Sequence, residues 1–221
     1  MSYTVHGAGI SPFVRKVRAF LMEKGLEYAH DPVIPFNPPP TFRKLSPLGK
    51  IPAFSDGDKT LADSSIICAY LERRNPTPPL YPKDDYLYAR ALWFEEYSDG
   101  GLMNVIGPGI FGPLVIQPAL RGVAPDHERA KKAMEEELPP LLTYLEGELG
   151  EQSFFVGNAL SIGDLAIAAI FVNLMLAGGS IDKVRWPKLA AWVERMHARP
   201  SFKTLIEEDH KNMAALRRPR G

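Results

Sequence analysis

Ile10-Ser11-Pro12-Phe13-Val14-Arg15-Lys16-Val17-Arg18-Ala19-Phe20-Leu21 is the stretch that decides the fold. It sets a hydroxyl immediately before a proline, at the start of an apolar pattern with helical spacing. Proline is tolerated in a first helical turn because its missing N–H would have had no intrahelical partner there. Val14, Val17 and Leu21 fall on one buried face, which leaves Arg15, Lys16 and Arg18 to reach outward or sideways. Ser11 is then either an N-cap or a polar group at a helix N-terminus, where free amides favour a bound anion.

Upstream, Tyr3-Thr4-Val5-His6 reads as a short strand, closed by the Gly7-Ala8-Gly9 turn. Downstream, the helix ends near Lys24-Gly25, where glycine takes a left-handed C′ conformation. Tyr28 to His30 supplies a second strand, parallel to the first, before Asp31-Pro32 interrupts it. Strand, helix and strand in this order imply a right-handed crossover. Asn37-Pro38-Pro39-Pro40 starts a loop, and Thr41 to Leu45 supplies one helical turn. Ser46 to Lys50 then leads into Ile51-Pro52-Ala53-Phe54-Ser55. Asp56-Gly57-Asp58 turns that strand back as Lys59 to Ala62, a hairpin. Asp63 or Ser64 caps the following helix, which runs to Arg74. The core of this section is a small mixed sheet.

Asn75-Pro76-Thr77-Pro78-Pro79-Leu80-Tyr81-Pro82 suppresses both helical and strand hydrogen bonding and marks a domain boundary. Beyond it the periodicity is helical. Asp84 or Asp85 caps a helix containing Leu87, Ala91, Phe94 and Tyr97. Gly107 to Pro125 reads as a long connection or interrupted helix, apolar enough to cover a cleft, a subunit contact or the core. Asp126 caps the next helix, where Pro139-Pro140 predicts a kink or two consecutive helices. Ser161 and Asp164 have capping-box spacing ahead of the apolar run Leu165 to Leu176. Trp186-Pro187 starts another helix, and a final short one begins near Phe202. The domains are therefore 1–75, a linker at 76–84, an all-helical 85–208, and a basic, solvated tail at 209–221.

The chain has 221 residues, and its 26 basic and 26 acidic side chains cancel, so no global field selects nucleic acid or an anionic membrane. One cysteine, Cys68, rules out a disulfide framework and a multi-cysteine metal site. Neither a secretory leader nor an apolar run of membrane-spanning length is read from the sequence, and a cytoplasmic protein is expected. His6, His127, His197 and His210 form no ligand motif, so no metal is expected.

Taken together, the motifs resemble a glutathione transferase across nearly the whole length. Ser11-Pro12-Phe13 with Arg15, Val17 and Lys24-Gly25 is similar to the tau-class motif, and to the omega-class pattern with Ser in place of the catalytic Cys. Gly49-Lys50-Ile51-Pro52, Asp63-Ser64 and Ser161-x-x-Asp164 agree in order and spacing. The resemblance implies a thioredoxin-like N-terminal domain followed by a helical C-terminal domain, an α/β plus all-α chain, and a homodimer.

The resemblance further implies that Pro52 is cis and that the Ile51 backbone pairs with the cysteinyl part of glutathione, the co-substrate. Asp63 and Ser64 would meet its γ-glutamyl end and Lys50 its glycine carboxylate, with Phe13 also among the glutathione-binding residues. Asp63 departs from the Glu common in relatives, and its shorter side chain makes direct contact with the amine harder. Ser11 would donate to the sulfur and stabilise thiolate over thiol. A shift of about two units in the thiol pKa corresponds to roughly 2.7 kcal/mol. Serine cannot form the mixed disulfide open to a cysteine at that place. Cys68, inside a predicted helix, reads as a packed thiol.

The implied activity is glutathione S-transfer to hydrophobic electrophiles, a detoxification chemistry, with Trp93, Tyr97, Met103, Phe111 and Leu114 as candidates for the electrophile wall between the domains. A glutathione-dependent isomerase, with Arg15 or Arg18 meeting a substrate carboxylate, is one alternative. A peroxidase or reductase is another, and a non-enzymatic binding protein on the same fold is a third. No Ser-His-Asp arrangement is read from the sequence.

Overall fold

A computed structural model describes residues 3–34 and 38–216. The sheet has the order β2-β1-β3-β4, from β1 (Tyr3–His6), β2 (Tyr28–Asp31), β3 (Ala53–Asp56) and β4 (Lys59–Ala62). β1 pairs parallel with β2, Val5 opposite His30, and antiparallel with β3, Val5 opposite Phe54. Tyr3, Val5 and Phe54 point to the face covered by α1 (Pro12–Glu23) and α3 (Ser64–Arg74). The other face is covered by α2 (Phe42–Leu45), where Phe42 packs with Val33 and Ala53. Gly7 needs its missing Cβ twice over: its φ is +149°, and a Cβ would stand 2.6 Å from Val14 Cγ2.

The helical domain begins with α4, a continuous helix of 37 residues, Asp85–Arg121. It is followed by α5, which joins His127–Lys132, a π-helical Ala133–Glu137 and Leu138–Leu149, then by α6 (Ile162–Leu176), α7 (Pro187–His197) and α8 (Pro200–Leu216). The expected side-chain caps are present: Asp84 accepts from Leu87 N at 2.9 Å and Asp126 from Arg129 N at 2.9 Å. Asp164 accepts from Ser161 N at 3.0 Å and also from Phe155 N at 2.9 Å, so the loop before α6 is held by one carboxylate. α6 is buried along its whole length, and α4 crosses it at Gly163, where a Cβ would lie 2.7 Å from Phe94 Cβ.

Several expectations are corrected here. Of the two readings of 107–125, the interrupted helix holds and the connection does not: α4 continues to Arg121 through a π-helical segment and ends at Gly122 with φ +65°. Tyr97–Leu102 and Gly107–Ile116 are π-helical, and the second segment accommodates Pro108 at its start and Pro113 inside it. Pro108, Pro113 and Pro118 recur every five residues, in step with i to i+5 closure, so missing N–H groups and ring clashes fall where the ladder is already widened. Against the expectation of no such run, α4 carries an 18-residue window of mean hydropathy 1.3, long and apolar enough by composition to cross a membrane. Its Phe94, Leu102, Ile106 and Ile110 are buried in the core.

α1 is amphipathic in its residue pattern, but its charged side does not face solvent. Arg15, Lys16 and Arg18 are 1%, 1% and 5% exposed, because α6 and α8 cover the side of α1 that the sheet and α3 leave open. Lys16 Nζ bonds Glu95 at 2.8 Å and Asp99 at 2.6 Å, while Arg18 bonds Glu208 at 2.7 Å. The linker 76–84 is pinned to the first domain as Lys24 Nζ donates to Asn75 O at 2.7 Å and Pro78 O at 2.6 Å. Residues 209–216 are helix rather than tail, with Asp209 and Met213 buried. Asn37 of the predicted loop and 217–221 of the predicted tail lie outside the described residues.

Candidate active site between the domains

Ser11 occupies the N-cap position of α1 with extended backbone (φ −71°, ψ 128°), yet its hydroxyl makes no cap hydrogen bond. Ser11, Pro12 and Phe13 line a cleft of about 820 Å³ between the domains. On the N-terminal side the cleft is lined by Ala8 to Phe13, Pro32, Ile34, and Gly49 to Ile51. The Ile51–Pro52 peptide is cis, as is Thr77–Pro78. Ser46 Oγ donates to Lys50 O at 2.7 Å and fixes the turn that delivers Ile51.

The opposite wall comes from α4, α6 and α8. Met103, Gly107 and Phe111 stand four residues apart and line the cleft, followed by Ile116 at the end of the π-helical segment and by Ala119 and Leu120 beyond it. Ile170, Asn173 and Asn212 complete the lining. Of the five residues predicted for this wall, Met103 and Phe111 are on it; Trp93, Tyr97 and Leu114 are not. Trp93 is 46% exposed and donates to Tyr144 OH at 2.8 Å, and Tyr97 OH donates to Leu141 O at 3.2 Å, so both belong to a cluster against α5. Leu114 packs on the core. The π-helical segments turn α4 by less per residue than an α-helix, which shifts the faces that a constant helical spacing would assign.

Asp63 and Ser64 sit at the start of α3 and do not line the cleft itself. Asp63 has φ +79°, unusual for a residue with a side chain, and its carboxylate accepts from Ser65 N at 2.9 Å and Ile66 N at 3.3 Å. Such a conformation costs about 1–3 kcal/mol and is a pointer to function. Asp99 is near: its carboxylate lies 3.5 Å from Ser65 Oγ. Burial raises the Asp99 pKa against the pull of Lys16, and Glu95 and Asp63 add to the rise. Two carboxylates beside a helix N-terminus can receive a group carrying both an ammonium and a carboxylate. No local sequence signal marked Asp99, which comes from a different domain.

The Cys68 thiol is buried and its pKa is raised well above the ordinary value by that burial, so it is an inert packed thiol. A Ser-His-Asp chain does form: His6 Nδ1 is 2.9 Å from Asp31 and Nε2 is 2.9 Å from Ser55 Oγ. It ties β2, β1 and β3 together, and none of the three lines the cleft. Among the described residues no group of three or more His, Cys, Asp or Glu is placed to hold a metal ion.

Residues 5–79 match the glutathione S-transferase N-terminal domain, and residues 116–209 match the glutathione S-transferase C-terminal domain. Mouse glutathione S-transferase theta-3 is 31% identical over 173 residues, 77% of this chain and 70% of that protein. The chain belongs to the glutathione S-transferase family. Its architecture, a thioredoxin-like domain followed by an all-helical one, is that of the transferases. Glutathione transferase F7 from Populus trichocarpa superimposes with a TM-score of 0.80 at 26% identity, over 93% of this chain and 98% of that one. A glutathione S-transferase from Methylobacterium radiotolerans, solved in complex with glutathione sulfonate, superimposes with a TM-score of 0.76 at 26% identity, over 93% and 95% of the two chains.

Proposed function

We propose that this transferase binds glutathione along Phe13, Lys50, Ile51, Pro52, Asp63 and Ser64, and that the Ser11 hydroxyl donates to the sulfur. The observation that carries this reading is the uncommitted Ser11 hydroxyl at the N-terminus of α1, on the same cleft as the Ile51 backbone. A hydrogen bond to the charged form, with the positive end of the helix dipole, lowers the thiol pKa and increases the thiolate present at neutral pH. The thiolate then attacks an electrophilic carbon: a sulfur–carbon bond forms, the bond to the leaving group breaks, and the leaving group departs with its electron pair. Met103, Phe111, Ile116 and Leu120 offer an apolar surface for the electrophile. The Ser-Pro-Phe motif supports placement near the tau class, or near the omega class with serine for cysteine. A cytoplasmic homodimer accompanies this reading.

A glutathione-dependent isomerase would need a cation to meet a substrate carboxylate. Arg15 is bound by Asp209 and Arg18 by Glu208, and among the described residues lining the cleft Lys50 is the sole cation. The test is a rate comparison at saturating glutathione between a halogenated aromatic and a cis-unsaturated diacid. Turnover of the aryl halide with none of the diacid is expected. The reverse preference would overturn conjugation, and glutathione binding without turnover of either would favour a binding protein.

A further inference from the structure

The carbonyl oxygen of Ile10 belongs to the peptide that enters Ser11, and two side chains donate to it: Asn173 Nδ2 at 3.1 Å and Arg15 Nη2 at 3.3 Å. Asn173 is on α6, in the middle of the helical domain. Its orientation is fixed, because Oδ1 accepts from Arg15 Nη1 at 2.7 Å, so Nδ2 must face Ile10. Arg15 in turn has no freedom. Nη1 also donates to Ala169 O at 2.8 Å, Nε donates to Asp209 at 2.8 Å, and Nη2 pairs with Asp209 at 2.6 Å. These contacts match the five N–H groups of a guanidinium, and Arg15, Asn173 and Asp209 are all buried. From the other side, Ser11 N donates to Ala8 O at 3.0 Å and Arg15 N to Ser11 O at 2.9 Å, so the Ser11 backbone is held both from its own domain and across the boundary.

We infer that Asn173, oriented by Arg15 and Asp209, is a positioning residue for Ser11: the helical domain reaches across the boundary and sets the peptide that aims the hydroxyl into the cleft. The inference rests on the Ser11 reading proposed above. Asn173 lines the cleft, but both of its polar ends are already spent on the protein, which suits a support to the reacting group rather than a contact with substrate. The N-terminal domain thus carries the hydroxyl, and the helical domain carries part of what aims it.

Asn173→Asp in the full chain keeps an acceptor for Arg15, removes the donor to Ile10 and sets two oxygens against each other. Two readouts follow, amide hydrogen exchange over residues 8–11 and the pH profile of kcat with an aryl halide at saturating glutathione. Exchange there is expected to rise about tenfold, with the profile moving about one pH unit upward and kcat near pH 6.5 falling about tenfold, the equivalent of one lost hydrogen bond. The KM for glutathione should change far less. Asn173→Ala replaces the variant if the Asp form does not fold, with the same shifts expected. An unchanged pH profile, with or without faster exchange, overturns the inference. Ser11→Ala separates the two claims: if it leaves the profile unmoved, the Ser11 reading fails by itself, and if it moves the profile while Asn173→Asp does not, only the positioning role fails.

Discussion

Ser11, Lys50 and Ile51 on one wall of the cleft are set by backbone features within a few residues of each, whereas Met103, Phe111 and Ile116 on the other are set by the course of a 37-residue helix. The first wall offers a hydroxyl, helix amides and a strand edge next to a cis proline. The second offers mostly carbon. In the function proposed above the difference divides the work: the N-terminal wall holds and ionises the thiol, and the helical wall sets which apolar partner can approach it. The walls are fastened by buried ion pairs on α1, Arg15 to Asp209 toward α8 and Lys16 to Glu95 and Asp99 toward α4. Burial alone would lower the Lys16 ammonium, but Glu95 and Asp99 outweigh it and raise its pKa. For Arg15 burial wins, and its pKa is lowered despite Asp209.

The largest effect expected from separating the walls is on stability. Arg15→Met leaves Asp209 buried without its cation and should cost about 3–5 kcal/mol in urea unfolding. A loss below about 1 kcal/mol would mean that Asp209 reaches water and that the fastening is not as described. A smaller effect should appear on selectivity. Leu120→Ala trims the helical wall and should lower kcat/KM for an apolar aryl halide by about tenfold, as the loss of buried methylenes implies. Trp93→Ala, off the wall, should leave it within about twofold. Equal losses in the two variants would relocate the electrophile surface to the α5 side of α4.

The smallest effect is a pH dependence in the helical domain alone. Burial lowers the pKa of His197, whose Nε2 lies 3.0 Å from Ala168 O. The unfolded chain therefore binds the proton more readily, and the stability that neutral His197 contributes is complete above its ordinary value of 6.5 and is lost as pH falls toward its folded pKa. His197→Gln keeps a donor and does not titrate. The stability of wild type relative to this variant should fall between pH 7.5 and pH 5, whereas a difference flat with pH would place His197 in contact with water.

The same contrast explains what was legible in the sequence. β1, α1, the β3–β4 hairpin and the caps at Asp63, Asp84, Asp126 and Asp164 follow from short signals, because turns and caps are satisfied within a few residues. The burial of Arg15, Lys16 and Arg18 was not legible, since their partners Asp209, Glu95 and Glu208 lie far along the chain and charge on a helix ordinarily marks its solvent face. Gly107 to Ile116 left a connection and an interrupted helix both open for a different reason: its glycines and prolines break an α-helix, and a π-helical ladder with helices packed around it lets them continue one. Asn173 and Asn212 carried no signal, as a lone asparagine in a helix has no local pattern to announce the side chain it will meet.

The most direct test of the central claim is an ultraviolet titration of the thiolate of bound glutathione, wild type against Ser11→Ala, with glutathione saturating. The account expects a wild-type thiol pKa about two units below that of free glutathione, returning toward the free value in the variant. The same lowered pKa in both proteins would contradict it, and would move thiolate stabilisation from the Ser11 hydroxyl to the amides of α1.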